Sequence, residues 1–237
     1  MIISERFFRE VIANIIILCC IITVFAVSFF PRREILPIST SDVKVYYKGN
    51  EKNPYVSLMF NVYDNQKEVL QILEILQEND VNSTFFVSGS WADKNGEAVK
   101  KIAEYGNEIA NHGYFQKDLK NLSYDKNCEE IIVTERLLQA ITETKTNLFT
   151  PPSGSYGKAT LTACKNLGYQ VIMRSKDTLD LQDNDVEAIY NRATKNIQNG
   201  DLILMHPTPH TVKALDRVLK YYRKKGLQQV VVSRCIE

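Results

Sequence analysis

The chain has 237 residues, 44% hydrophobic and 24% charged, which suits one sizeable folded domain and excludes wholesale disorder. Lysine and arginine total 29 against 28 aspartate and glutamate, so the net charge of +1 lacks the basic surplus of a nucleic-acid binder. The five cysteines show no CxxC and no paired Cys/His spacing, which excludes a disulfide scaffold and a structural zinc site; Cys128, Cys164 and Cys235 read as small buried apolar residues.

From Val11 to Phe30 the chain runs twenty residues without a charge. At about 1.5 Å per helical residue the run measures roughly 30 Å, the depth of a bilayer's hydrocarbon core. This predicts an uncleaved membrane anchor, with residues 1–10 cytoplasmic and the rest of the chain outside the cytoplasm. Arg6 and Arg9 before the run and Arg32 and Arg33 after it nearly balance the positive-inside rule. The competing reading is secretion after cleavage near Ala26-Val27-Ser28, for which the run is long. Residues 31–53 read as a linker, with Pro31, Pro37, the polar string Ser39-Thr40-Ser41-Asp42 and a short strand over Val43–Tyr47.

Residues 54–237 alternate strands and helices. Tyr55–Phe60 is apolar enough for a buried strand, and Val69, Leu70, Ile72, Leu73, Ile75 and Leu76 recur at helical spacing. Thr84–Val87 is rich in β-formers. A helix over Glu97–Tyr105 precedes a strand at Glu108–Ala110, and a longer helix spans Tyr124–Thr142. Leu148–Thr150 is a strand stopped by Pro151-Pro152, and a helix over Ala159–Leu167 ends at Gly168, a good C-cap. Further strands fall at Gln170–Met173, Asp201–Met205 and Gln228–Val232. The run Lys213–Lys225 is the solvated face of a last helix, with Leu215, Val218 and Leu219 turned inward. About seven strand–helix units predict a parallel sheet, either closed into a barrel or open and doubly wound. No GxGxxG or GxxxxGK[ST] stretch supports a nucleotide fold.

In such arrays chemistry sits just past the C-terminal strand ends. His112 and His206 both stand there. His206 and His210 are four apart, but Pro207 and Pro209 forbid the helix that would put both on one face. Trp91, after Gly89-Ser90, can stack on a sugar ring or pack against the next helix.

The motifs Ser83–Gly89, Gly106–His112, Pro151–Tyr156, Asp177–Asp180 and Gly200–Thr208, in that order, resemble the polysaccharide deacetylase family, also called the NodB-homology domain or carbohydrate esterase family 4. The resemblance runs from about Tyr55 to Cys235 and leans toward the sporulation-type branch. It implies a deformed (β/α)7 barrel of NodB type, cell-wall polysaccharide or peptidoglycan as partner, and hydrolysis of N-acetyl groups, a non-peptide carbon–nitrogen bond. It also implies a divalent metal, usually zinc, held by one Asp and two His. A second Asp is the general base, supported by an Arg, and a last His tuned by an Asp protonates the leaving amine.

Several positions depart from that pattern. Asn61-Val62 stand where the family pairs two Asp, Gln116 replaces the second metal His, Thr150 replaces the Arg, and Leu181 replaces an aromatic residue. His112 matches the first metal His, and His206 with Asp180 matches the acid side. The motifs put Pro152, Gly154, Tyr156 and Leu204 along the substrate groove. The expectation is therefore a membrane-anchored, glycan-binding member with impaired or no catalysis and no bound cofactor. The alternative is an active N-deacetylase whose metal site is rebuilt from Asp64, His112 and Gln116, with oxygen donors that suit Mg or Mn better than zinc.

Overall fold

The computed structural model describes residues 12–18 and 43–237. Residues 12–18 are helical. Among the described residues no helix is long and apolar enough to cross a membrane, and most of Val11–Phe30, including the alternative cleavage point, lies outside them. The site belongs to the compact unit over residues 40–237.

The strands are β1 (Val45–Tyr46), β2 (Tyr55–Val62), β3 (Thr84–Val87), β4 (Glu108–Asn111), β5 (Leu148–Phe149), β6 (Gln170–Ile172), β7 (Lys176–Asp177), β8 (Leu202–Met205) and β9 (Gln228–Gln229). The helices are α1 (Gln66–Glu78), α2 (Gly89–Ala92), α3 (Gly96–Glu104), α4 (Tyr124–Thr142), α5 (Lys158–Asn166), α6 (Val186–Thr194), α7 (Pro209–Lys224) and α8 (Val232–Ile236). Caps account for several boundaries. Ser123 accepts from the Lys126 N–H to start α4, and Thr208 accepts from Thr211 N–H with Pro209 in the first turn of α7. Gly168, at φ +76°, closes α5 as its position predicts.

The strands form one parallel sheet in the order β1-β6-β5-β4-β3-β2-β8-β7, with β9 pairing the start of β2. Among the described residues β1 and β7, at the two ends of that order, share no ladder, so the sheet is curled and open rather than a closed ring of seven units. The link between β6 and β7 is Met173-Arg174-Ser175 alone. Two parallel neighbours need a crossover of about a dozen residues. β6 and β7 therefore cannot pair; β6 pairs β1 and β7 pairs β8. β1 lies within the stretch expected as linker, yet it is built into the sheet edge. Gly49 N–H donates to the Gly200 carbonyl and Asn50 N–H to the Cys235 carbonyl, both at 2.7 Å. The expected strand over Gln228–Val232 keeps two residues, because Val232 already starts α8.

Side-chain alternation sorts the sheet's two faces. Val56, Leu58, Phe60 and Val62 of β2, with Phe85, Val87, Ile203 and Met205, pack against α1, α3 and α7 in the main apolar cluster. The opposite parity holds Met59, Phe86, Ala110, Leu148, Ile172 and Leu202, plugged by Val230, Val232 and Cys235. A third cluster joins α4 and α5 around Ile131, Phe149, Cys164 and Val171. Trp91 belongs to the main cluster, so packing outweighs sugar stacking there. Cys164 and Cys235 are buried free thiols and Cys128 is half-buried.

Candidate functional site

The inner face continues past the plug into a cavity of about 290 Å³ at the C-terminal strand ends. Met59 and Asn61 line it from β2 and Leu204 from β8, while His206 follows β8 and His112 follows β4. Parallel register brings them together. Phe60 pairs with Met205, so Asn61 and His206 are the next residues on adjacent strands. Asn111 pairs with Phe149, which sets His112 beside Thr150.

His206 Nδ1 donates to Asp180 Oδ1 at 2.8 Å. The other carboxylate oxygen accepts from His206 N–H and from Thr211 Oγ1, each at 2.7 Å. A carboxylate only accepts, so Nδ1 carries a proton, and Nε2 is left for the cavity. Asp180 is 2% exposed, and Arg192 braces its loop by donating to the Thr178 carbonyl at 3.0 Å and to Asp183 at 2.8 Å. His112 Nδ1 donates to the Thr150 carbonyl at 2.8 Å, which leaves its Nε2 with the lone pair. Burial pushes the His112 pKa down to about 4, with nearby His206 adding to the fall and the Thr150 carbonyl opposing it. His112 is therefore neutral at pH 7.

Tyr63 stands between the histidines, its ring centroid 6.3 Å from His112 and 5.9 Å from His206. Burial, then Asp180 and Asp64, raise its hydroxyl pKa. Asn61 is 7% exposed, and its Oδ1 is buried without a hydrogen-bond partner. Gln116 Nε2 donates to the His112 carbonyl at 3.0 Å. The loop between them is pinned by buried Glu130, which accepts from Tyr114 and Phe115 N–H at 2.8 Å and pairs with Lys117 at 3.0 Å. Arg174, in the gap between β6 and β7, enters the wall with Nε 2.7 Å from Asp177 Oδ2. Gln116, Ser153 and Leu179 all line the cavity with φ of 57°, 55° and 53°. Left-handed backbone in non-glycine residues costs on the order of 1–3 kcal/mol each and clusters at functional sites. For Leu179 the neighbouring Asp177 Oδ1, accepting from its N–H at 3.0 Å, holds the turn.

The structure sorts the residues singled out from the sequence. Asn61, His112, Gln116, Thr150, Gly154, Leu181, Leu204 and His206 line one cavity, with Asp180 directly behind His206. Val62 does not join them: at 0% exposure it lies in the helix-side cluster, because alternation turns the residue after Asn61 to the other face. Asp64 is absent from that lining; it lines a second depression with Tyr63, Ser90, Trp91 and Lys94. Pro152 is absent from the lining, where Pro151 and Ser153 form the wall. Tyr156 is absent from the lining, its hydroxyl 2.7 Å from that of Tyr47. Sequence reasoning missed Tyr63, Arg174, Glu130 and Arg192. The signal for Tyr63 and Arg174 was their place directly after β2 and β6; for Glu130 and Arg192, on amphipathic helices, there was none.

These residues do not fit a zinc ion. The amides of Asn61 and Gln116 are neutral and weak donors to a metal, Val62 faces away, and His206 Nδ1 is committed to Asp180. Among the described residues no three His, Cys, Asp or Glu side chains are grouped to hold a metal.

A curled parallel α/β sheet with a His–Asp pair and a second histidine at its C-terminal edge sets a candidate site where α/β proteins carry their chemistry. Residues 48–172 match the polysaccharide deacetylase family model, and the chain belongs to that family. It is 34% identical to the uncharacterised protein YlxY of Bacillus subtilis over 81% of this chain and 60% of YlxY. It is 29% identical to a peptidoglycan-N-acetylglucosamine deacetylase of Bacillus cereus over 86% of this chain and 97% of that protein. Among solved structures it resembles a CE4 family pseudoenzyme from Bacillus anthracis at TM-score 0.80 and 30% identity, covering 82% of this chain and 69% of that one. A mutant of such a CE4 pseudoenzyme, described as having restored enzymatic activity, matches at TM-score 0.80 and 29% identity, covering 82% and 71%.

Proposed function

We propose that this chain is a membrane-anchored, glycan-binding member of the polysaccharide deacetylase family whose own deacetylation chemistry is impaired or lost, acting on the outer side of the membrane on cell-wall glycan. The observation that carries the reading is at the end of β2. The residue facing the cavity is Asn61, whose amide has no useful proton affinity, and the next residue, Val62, lies in the apolar core. No side chain there can take a proton from water or replace the missing metal ligand. What remains is the acid half: His206 held by Asp180, in a cavity of a size to take one sugar unit. The likeness to a protein described as a pseudoenzyme supports this reading, and the charge-free run Val11–Phe30 supports the anchor.

The test is acetate release from N-acetylglucosamine oligomers and from peptidoglycan by the full chain, with added Zn, Co or Mn. No acetate is expected, while the oligomers bind. Clear release by the wild type overturns the reading. In cell fractions the full chain is expected to sediment with membranes and to come free only with detergent; release by salt alone would remove the anchor.

A further inference from the structure

The floor of the cavity is rich in acceptors. Asn61 Oδ1 is a buried acceptor with no partner, and Nε2 of neutral His112 carries a lone pair because its Nδ1 proton is committed to the Thr150 carbonyl. Both residues line one cavity, with His206 beside them. Asn61 Nδ2 is the single donor group they supply. A buried acceptor left unmatched is costly, and a ligand that brings donors removes that cost. An acetamide brings one N–H and a carbonyl that itself needs a donor. A primary ammonium brings three donors and no acceptor.

We propose that the pocket recognises the free ammonium of a de-N-acetylated amino sugar in preference to its N-acetylated form. This rests on the glycan-binding reading above and names the ligand within it. Charge favours it as well. Arg174 and Asp177, the formally charged side chains of the lining, form an ion pair and cancel, while the buried Asp180 carboxylate lies behind His206 and adds negative potential at the floor. The ligand is then the product of the reaction that this chain's departures at Asn61 and Gln116 remove. A reaction that strips N-acetyl groups from the glycan must supply it, and this chain reads the result.

The test is calorimetric titration of the full chain with a glucosamine tetramer and with an N-acetylglucosamine tetramer, using tetralysine as a charge control. The glucosamine tetramer is expected to bind about tenfold tighter than the acetylated one. Tetralysine is expected not to bind, since a chain of net charge +1 has no general attraction for cations. Asn61→Leu should bring the two sugars to within about twofold, and Asn61→Asp should tighten the amine about tenfold further while leaving the acetylated tetramer unchanged. Equal or tighter binding of the acetylated tetramer overturns the proposal. So does a preference that survives Asn61→Leu, no tightening with Asn61→Asp, or tetralysine binding as well as the sugar. If the acetylated tetramer alone binds, only this proposal falls; if neither tetramer binds, the glycan-binding reading falls with it.

Discussion

Val62→Asp tests how the end of β2 faces. Restoring the family's acidic pair on paper puts a carboxylate at this position, but Val62 is 0% exposed among Val87, Phe60 and the helix-side core. Removing a fully buried valine from that cluster forfeits about 1.5–3 kcal/mol. The aspartate must then stay protonated in the folded state. Relative to a free aspartate of pKa about 3.9, that costs about 1.4 kcal/mol per pH unit, or about 4 kcal/mol at pH 7. The sum is about 6 kcal/mol, comparable with the whole stability of an ordinary domain, about 5–15 kcal/mol. The sign with pH follows from linkage. The unfolded aspartate ionises above its pKa while the folded one stays protonated, so the folded state binds more protons and the deficit grows as pH rises. Urea unfolding of wild type and variant at about pH 5 and pH 7 should show the deficit shrinking by almost 3 kcal/mol at the lower pH. A loss below about 2 kcal/mol, or one indifferent to pH, would mean that the side chain reaches the cavity and that the strand ends earlier than it does here.

Other expectations concern the site's supports. His112 is neutral when folded, with its pKa lowered to about 4 by burial, whereas an unfolded histidine takes a proton near its ordinary 6.5. Its contribution is therefore present above pH 6.5 and lost as pH falls through about 4, up to roughly 3 kcal/mol; His112→Asn should flatten that part of the acid limb in denaturant midpoints measured against pH. Glu130→Ala leaves the Tyr114 and Phe115 amides and Lys117 without their buried carboxylate and should cost about 3 kcal/mol. Faster hydrogen exchange at those two amides, ahead of global unfolding, is the expected sign; unchanged exchange would show that the loop holds itself. Gly200→Ala demands a left-handed φ of +79° and places a Cβ 2.9 Å from the Gly49 carbonyl oxygen. It should destabilise by about 1–3 kcal/mol and loosen residues 43–50 from the sheet edge, read by limited proteolysis.

The helices were legible because each is a periodic apolar face with local stop signals. Tyr124–Thr142 is predicted and found with the same bounds, and Pro209 opens α7 as proline in a first turn should. The strands were legible as β-rich apolar runs, and their alternation with helices implied a parallel sheet. The site was legible in part because chemistry gathers at strand ends, where His112 and His206 stand by order alone; Asn61, Thr150 and Asp180 were singled out through the family resemblance.

The remainder depended on pairing across distance. That β6 and β7 are not neighbours is decided by a link too short for a crossover between them, a constraint that shows only once both are known to be strands of one sheet. The short strand expected over Val43–Tyr47 is found as the two residues of β1, but that it pairs β6 at the sheet edge shows only in the fold. Val62 and Asn61 are neighbours in sequence, but the exact end of β2 decides which of them faces the cavity. Tyr63 and Arg174 carry no motif; the turn after one strand and the gap beside another bring them into the wall. Composition and local pattern are properties of neighbours along the chain, so the amino-acid sequence by itself determined the elements and the departures from the family's residues at the site. Which face each side chain takes, and which distant groups share one cavity, are set by register between strands, and the tertiary structure alone decided them.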